Sequence, residues 1–205
     1  MSFKKYIQDL ENEKSAVFVF GRFNVFTKGH QALWEYVAKE ARKQKADGLI
    51  FTSFSQNSKK NPLNPQDKIM YIKKVLPKGT SISNDTSLKN AFQITEKLIK
   101  DGYTRLTFVV GADRINDFNA LHKYVKEWSD GQAKIKIVSF SGKERIGDYS
   151  GTRMRELVKE NNFKEFAKDL PDGFTKKEQM EIFEKTKIGL GLKWVLKNIY
   201  MNKKN

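Results

Sequence analysis

Residues 16–30 read Ala-Val-Phe-Val-Phe-Gly-Arg-Phe-Asn-Val-Phe-Thr-Lys-Gly-His. The first five are a continuous apolar run, long enough for a strand buried on both faces and too short for a helix. Gly21 ends the run, a polar loop follows, and a helical pattern opens near Gly29-His30. A strand-to-helix turn gathers backbone N–H groups and the positive end of a helix dipole at one point. That is a place for an anion such as a nucleotide phosphate. One of the chain's two histidines lies inside this turn.

The same alternation repeats along the chain. Strands are expected at Ser15–Gly21, Gly48–Phe54, Thr80–Ser83, Leu106–Gly111 and Lys134–Phe140. Helical patterns fill the gaps at His30–Gln44, Pro65–Val75, Leu88–Asp101 and Asp113–Trp128. Short apolar strands alternating with amphipathic helices predict an α/β fold, a parallel five-stranded Rossmann-like sheet with helices on both faces. The first strand then lies at the sheet centre, and the crevice opens at the carboxyl ends of strands one and four. From Thr152 onward the pattern is helical: Thr152–Glu160, Asn162–Asp169, then Thr175 to about Tyr200, with a break at Asp169-Leu170-Pro171-Asp172-Gly173. The reading is a domain over residues 1–160 and a C-terminal helical extension over 161–205. The apolar residues of that tail, Ile182 to Ile199, predict that it packs back on the domain; a homo-oligomer contact is the alternative.

Composition narrows the function. A length of 205 residues suits one α/β domain with an appendage. Cysteine is absent, which removes disulfides, thiol nucleophiles and thiolate metal sites. No apolar stretch reaches membrane-span length, and residues 1–8 lack a signal-peptide core, so the expectation is a cytoplasmic protein, in the host cytoplasm if phage-encoded. The net charge of +15 attracts polyanions, which admits nucleotides and leaves nucleic acid open as a partner. The lysines are spread along the chain and form no dense tract.

Three motifs resemble one known family. Gly21-Arg22-Phe23-Asn24-Val25-Phe26-Thr27-Lys28-Gly29-His30 resembles the GxFxPxTxGH signature of the HIGH-type nucleotidyltransferases, a superfamily that includes cytidylyltransferases and adenylyltransferases. Phe108-Val109-Val110-Gly111-Ala112-Asp113-Arg114 resembles its strand ending in Gly-x-Asp, and Tyr149-Ser150-Gly151-Thr152-Arg153-Met154-Arg155 its ISSTxxR segment. They stand in family order across residues 15–160. A lone T-x-G-H would say little, whereas three motifs in strand–loop–helix context are specific. The GRF form of the first motif and Asn61-Pro62-Leu63 are most similar to archaeal-type nicotinamide-mononucleotide adenylyltransferases and phage-encoded relatives.

The resemblance implies roles. His30 would donate to the α-phosphate, Thr27 would assist it and Arg155 would clamp phosphates. Gly21, Arg22, Phe23, Gly29, Gly111, Asp113, Ser150, Gly151 and Thr152 would surround the nucleotide. Asn24, Lys59, Lys60, Asn61 and Arg114 would meet the acceptor. Capping of a helix would account equally for Thr27, Asp113, Ser150 or Thr152, and a solvated basic loop would account for Lys59 and Lys60. Arg153 lies on a different helical face from Arg155 and is the poorer phosphate contact. His122, within a helical pattern, reads as a surface or structural residue. Val25 stands where the family has proline, and loss of that fixed φ is expected to loosen the loop.

The implied reaction is transfer of a nucleoside monophosphate, AMP from ATP or less readily CMP from CTP, to a small phosphorylated acceptor, with Mg²⁺ on the triphosphate and no dedicated metal ligands. Nicotinamide mononucleotide is the first acceptor implied. The rival reading is a nucleotide- or nucleic-acid-binding protein that kept the fold and lost catalysis.

Overall fold

The computed structural model describes residues 13–140 and 149–192. Five strands form one parallel sheet: β1 (Lys14–Gly21), β2 (Asp47–Thr52), β3 (Thr80–Ile82), β4 (Tyr103–Gly111) and β5 (Lys134–Phe140), in the order β3-β2-β1-β4-β5. β1 is central, as expected, and the order reverses between β1 and β4. The crevice of a doubly wound sheet opens at that reversal.

β1 explains the two-sided core. Successive side chains point to opposite faces. Val17 and Val19 join one buried cluster with Trp34, Val37 and Ile72, while Ala16 and Phe18 join the other with Ile94, Leu98, Leu121 and Val125. Phe18 stacks on Phe108 of β4 with ring centroids 4.7 Å apart.

The first face carries helix α1 (Lys28–Gln44) and α2 (Pro65–Val75). The second carries α3 (Ala91–Lys100) and α4 (Leu121–Trp128). α1 begins two residues before His30 because Thr27 caps it. α3 begins at Ala91, not Leu88, because the side chain of Asn90 accepts the N–H of Gln93. The helix expected over Asp113–Trp128 is two pieces: a 3₁₀ turn at Ala112–Phe118, then α4. β2 stops at Thr52, short of Phe54, where the chain turns away from β1.

Three helices follow: α5 (Gly151–Lys159), α6 (Phe163–Asp169) and α7 (Lys176–Gly189). The break between α6 and α7 lies where the Pro-Asp-Gly signal put it. Phe166, Ile182 and Phe183 are buried in the same cluster as Val17 and Trp34, so these helices cover the α1–α2 face. The α7 helix ends at Gly189; the expected continuation to Tyr200, with Trp194, Val195, Leu196 and Ile199, lies outside the described residues. Two ion pairs, Lys185–Asp67 at 2.6 Å and Lys74–Glu178, tie α7 to α2. Near its end, a Cβ added at Gly189 would run into the carbonyl of Pro62. The last turn of α7 therefore rests on the backbone of the loop after β2. Among the described residues no helix is long and apolar enough to cross a membrane.

Candidate active site

A cavity of about 400 Å³ opens at the carboxyl ends of β1 and β4. Three segments far apart in sequence line it: Val19–Asn24 with His30 and Leu33, Phe108–Gly111 with Arg114 and Phe118, and Ser150–Thr152 with Arg155. All three sequence motifs thus meet in one crevice. Its lining holds three arginines and a histidine, and no carboxylate among the described residues.

The turn after β1 is shaped by Gly21 and Phe23. Phe23 takes a left-handed backbone with φ of 44°. Its ring folds back over Gly21, where a Cβ would sit 2.5 Å from a ring carbon, so only glycine fits there. The same ring packs edge-on against His30 and Trp34, at 5.1 and 5.4 Å between centroids. Aromatic packing thus fixes the plane of the imidazole.

Hydrogen bonds fix its tautomer. Thr27 and His30 form a capping box in which histidine replaces the usual Glu or Gln. The backbone N–H of Thr27 donates to Nδ1 of His30 at 3.0 Å. Nδ1 is therefore the unprotonated nitrogen, and the proton resides on Nε2. Burial pushes the His30 pKa down to about 4, because a desolvated ring resists gaining charge. His30 is thus a neutral N–H donor lining the cavity at any pH above about 5. Thr27 is fully buried, does not line the cavity and touches it only by way of its bonds to His30.

The opposite wall is the start of α5. Ser150 caps it, accepting the N–H of Arg153 at 3.1 Å. Thr152 lies inside the first turn, so of the two capping candidates Ser150 is the cap and Thr152 is not. Its Oγ1 accepts from the Arg155 guanidinium at 2.9 Å. Arg155 also donates to the carbonyls of Asn24 and Lys60, each at 3.3 Å. Burial and the neighbouring charge of Arg22 hold its pKa below the ordinary value. A guanidinium aimed at carbonyls beside a second arginine retains unspent positive charge for an incoming anion. Arg153 instead turns to α6, with Nε 2.6 Å from the buried Asp169 carboxylate.

Several expected contacts are corrected. The side-chain amide of Asn24 is not offered to a substrate. Its Nδ2 donates to the Leu63 carbonyl at 2.9 Å and its Oδ1 accepts the Leu63 N–H at 3.1 Å. This clamp, with Val25 fully buried, holds firm the loop that loss of proline was expected to loosen. Gly29 does not face the cavity: a Cβ there would make ordinary contact with Tyr149. Lys59 and Lys60 are exposed and outside the lining, on a loop organised by Asn57, whose Oδ1 accepts from the N–H groups of Lys59 and Lys60. Asn61 is buried rather than open to a ligand, and its Oδ1 lacks a hydrogen-bond partner. Arg114 does line the cavity, lying over the Phe118 ring at 5.1 Å and paired with Asp117 at 3.2 Å. Asp113 follows Gly111 in the 3₁₀ turn; its side chain lies outside the described residues. His122 is exposed on α4, away from this cavity.

Two participants escaped the sequence reading. Phe118, an apolar wall of the cavity, looked like an ordinary helix residue. Lys68 of α2 is fully buried and donates to the carbonyls of Arg22, at 3.0 Å, and Ser53. A signal was present: Lys68, Ile72 and Val75 are spaced i, i+4, i+7 on the buried stripe of α2.

Comparison with known proteins places this geometry. The cytidylyltransferase-like family model matches residues 18–181. No curated protein sequence matches the chain. A solved structure from Vibrio parahaemolyticus, described as a nicotinate-nucleotide adenylyltransferase, is 17% identical with a TM-score of 0.55, over 83% of this chain and 99% of that one. A macrolide-efflux protein from Streptococcus pneumoniae is 23% identical with a TM-score of 0.45, over 76% of this chain. TmcAL of Thermotoga maritima, bound with α-thio ATP, is 14% identical with a TM-score of 0.47, over 87% of this chain. This chain spans about half the length of those last two, 54% and 56%. At 17% identity the likeness to the Vibrio parahaemolyticus structure is one of fold.

Proposed function

The chain belongs to the cytidylyltransferase-like family, and we propose that it transfers AMP from ATP to a small phosphorylated acceptor, with release of pyrophosphate. The observation that carries the reading is the cavity lining: Arg22, Arg114, Arg155 and a neutral His30 converge there, and no carboxylate is among the described residues that line it, Asp117 pairing with Arg114 from outside the lining. Such a site suits a ligand with several negative charges.

In the proposed step a phosphate oxygen of the acceptor attacks the α-phosphorus, and the bond from that phosphorus to the bridging oxygen of the β-phosphate breaks. The electron pair leaves with pyrophosphate. The attacking oxygen is already an anion, so no general base is needed; positioning and charge stabilisation suffice. His30 Nε2–H donates to an α-phosphate oxygen, where charge builds in the transition state. Arg155, Arg22 and the first amides of α5 hold the β- and γ-phosphates. Thr27 keeps the imidazole in its donor tautomer. A magnesium ion would enter with the substrate, phosphate oxygens and water supplying the ligands such an ion prefers.

Nicotinamide mononucleotide is the first acceptor to test, on the likeness of the Arg22 and Asn61-Pro62-Leu63 segments to the adenylyltransferases that use it. The test is pyrophosphate release from each of the four nucleoside triphosphates paired with a panel of phosphorylated acceptors, with Mg²⁺ present. A signal for one pair that is lost in His30→Ala establishes reaction, donor and acceptor together. Silence across the panel with triphosphate binding intact overturns the transfer reaction. RNA or DNA binding with a steep salt dependence would then favour the binding-protein reading.

A further inference from the structure

A lysine at zero exposure is expensive. Its ammonium loses hydration, and among the described residues it forms no ion pair with a carboxylate to compensate. Methionine would fill the same space on the buried stripe of α2 at less cost. The place where Lys68 spends its charge is specific. β1 and β2 run in register up to Gly21 and Thr52, and the N–H of Ser53 still reaches the Gly21 carbonyl at 3.1 Å. Beyond this pair the strands part, one into the Arg22–Phe26 turn and the other into the loop after β2. Two carbonyls, of Arg22 and Ser53, then converge on Lys68 Nζ. Without a cation their dipoles would repel. The Arg22 carbonyl takes a second bond from Thr52 Oγ1 at 3.2 Å.

The residue after this carbonyl is Phe23, held at a positive φ unusual for an aromatic side chain. Such a backbone persists when its surroundings over-determine it. The Phe23 ring sets the plane of His30, and Arg22 lines the cavity. We propose that Lys68 is a positioning residue for nucleotide binding: its buried ammonium pins the Arg22 carbonyl and so fixes the turn that presents Arg22 and Phe23 to the cavity. Burial lowers its pKa to about 8, which leaves it mostly charged at neutral pH.

The inference rests on the proposed transferase reading, and the test separates the two. ATP affinity and steady-state constants are measured for wild type, Lys68→Met, Lys68→Arg and Thr52→Val, with thermal unfolding of each. Lys68→Met should unfold cooperatively, near the wild-type temperature or above it. It should bind ATP at least about tenfold more weakly, the effect of losing a charge-assisted anchor, with the acceptor KM unchanged. Lys68→Arg, which keeps the charge, should recover part of the ATP affinity. Thr52→Val, which removes the second bond to the same carbonyl, should weaken ATP by a few-fold and supports the inference even if Lys68→Met fails to fold. A folded Lys68→Met with ATP affinity within twofold of wild type overturns it. Equal shifts in ATP and acceptor constants also overturn it, since they mark general loosening, as does wild-type behaviour of Thr52→Val where Lys68→Met does not fold. A wild-type protein that neither binds ATP nor releases pyrophosphate refutes the transferase reading itself.

Discussion

Replacing His30 by alanine perturbs rate and stability in separable ways. The ring contributes one directed donor, Nε2–H, because Nδ1 is occupied by the Thr27 N–H at 3.0 Å. Loss of one preorganised donor to a developing anion costs roughly 100- to 1,000-fold in kcat. Stability changes for a different reason. Alanine leaves the Thr27 N–H without its acceptor beside a buried side chain, at about 1 kcal/mol. It also removes a ring that is hard to protonate. The folded-state pKa is about 4 against 6.5 for the free side chain. Between these values the unfolded chain binds more protons than the folded one, so stability is full above pH 6.5 and falls as pH drops towards 4. The loss attributable to His30 is about 3.5 kcal/mol at most, from 2.5 pH units at about 1.4 kcal/mol each. The assays are pyrophosphate release and urea unfolding, each from pH 4 to 8. His30→Ala should lose turnover yet show a shallower decline of stability in acid than wild type. His30→Gln, which restores an ordinary capping partner, should regain the stability lost at neutral pH. The wild-type rate should show no histidine-like titration near pH 6.5. Turnover of His30→Ala within a few-fold of wild type, or a wild-type rate that follows a group near pH 6.5, would refute the neutral-donor mechanism.

The two arginines of α5 should behave oppositely. Arg155→Met should weaken ATP binding by about tenfold or more with a small effect on folding, whereas Arg153→Met should leave the Asp169 carboxylate buried without its ion pair and lower stability by about 2 kcal/mol, read by ATP titration and urea unfolding of each. Gly189→Ala should shift the loop after β2, since its Cβ would meet the Pro62 carbonyl; the expected result is a lower unfolding temperature, with the acceptor KM raised more than the ATP KM. In wild type the Lys68 contribution to stability should rise between pH 8 and 10.5, because its folded pKa is lowered to about 8 from 10.5 and the unfolded chain is the better proton acceptor in that window. Lys68→Met should lack that rise in unfolding titrations.

The fold was legible because its signals are local. The run Ala16–Phe20 reads as a strand buried on both faces, and its repetition between helical patterns implies a parallel sheet. A parallel sheet entered this way puts Gly21 and Gly111 at the same edge. Boundaries shifted by one to three residues where caps decided them: Thr27, Asn90 and Ser150 start helices with their own side chains. The helix expected through Asp113–Trp128 broke because Ala112–Phe118 folds as a tighter 3₁₀ turn that brings Phe118 into the cavity lining.

The resemblance of three motifs pointed to His30, Arg22, Arg114 and Arg155, and their chemistry agrees with it, since a nucleotide needs donors and positive charge. The assignment of each polar side chain to ligand or scaffold belonged to the tertiary structure. An asparagine amide looks the same whether it meets a substrate or, as Asn24 does, a backbone 39 residues away. A lysine in a Lys-rich chain looks solvated until its helix is docked and Lys68 is found 46 residues from the carbonyl it holds. Sequence fixes which groups a segment can offer within one strand or turn; which of them remain free depends on packing between segments that local patterns do not encode.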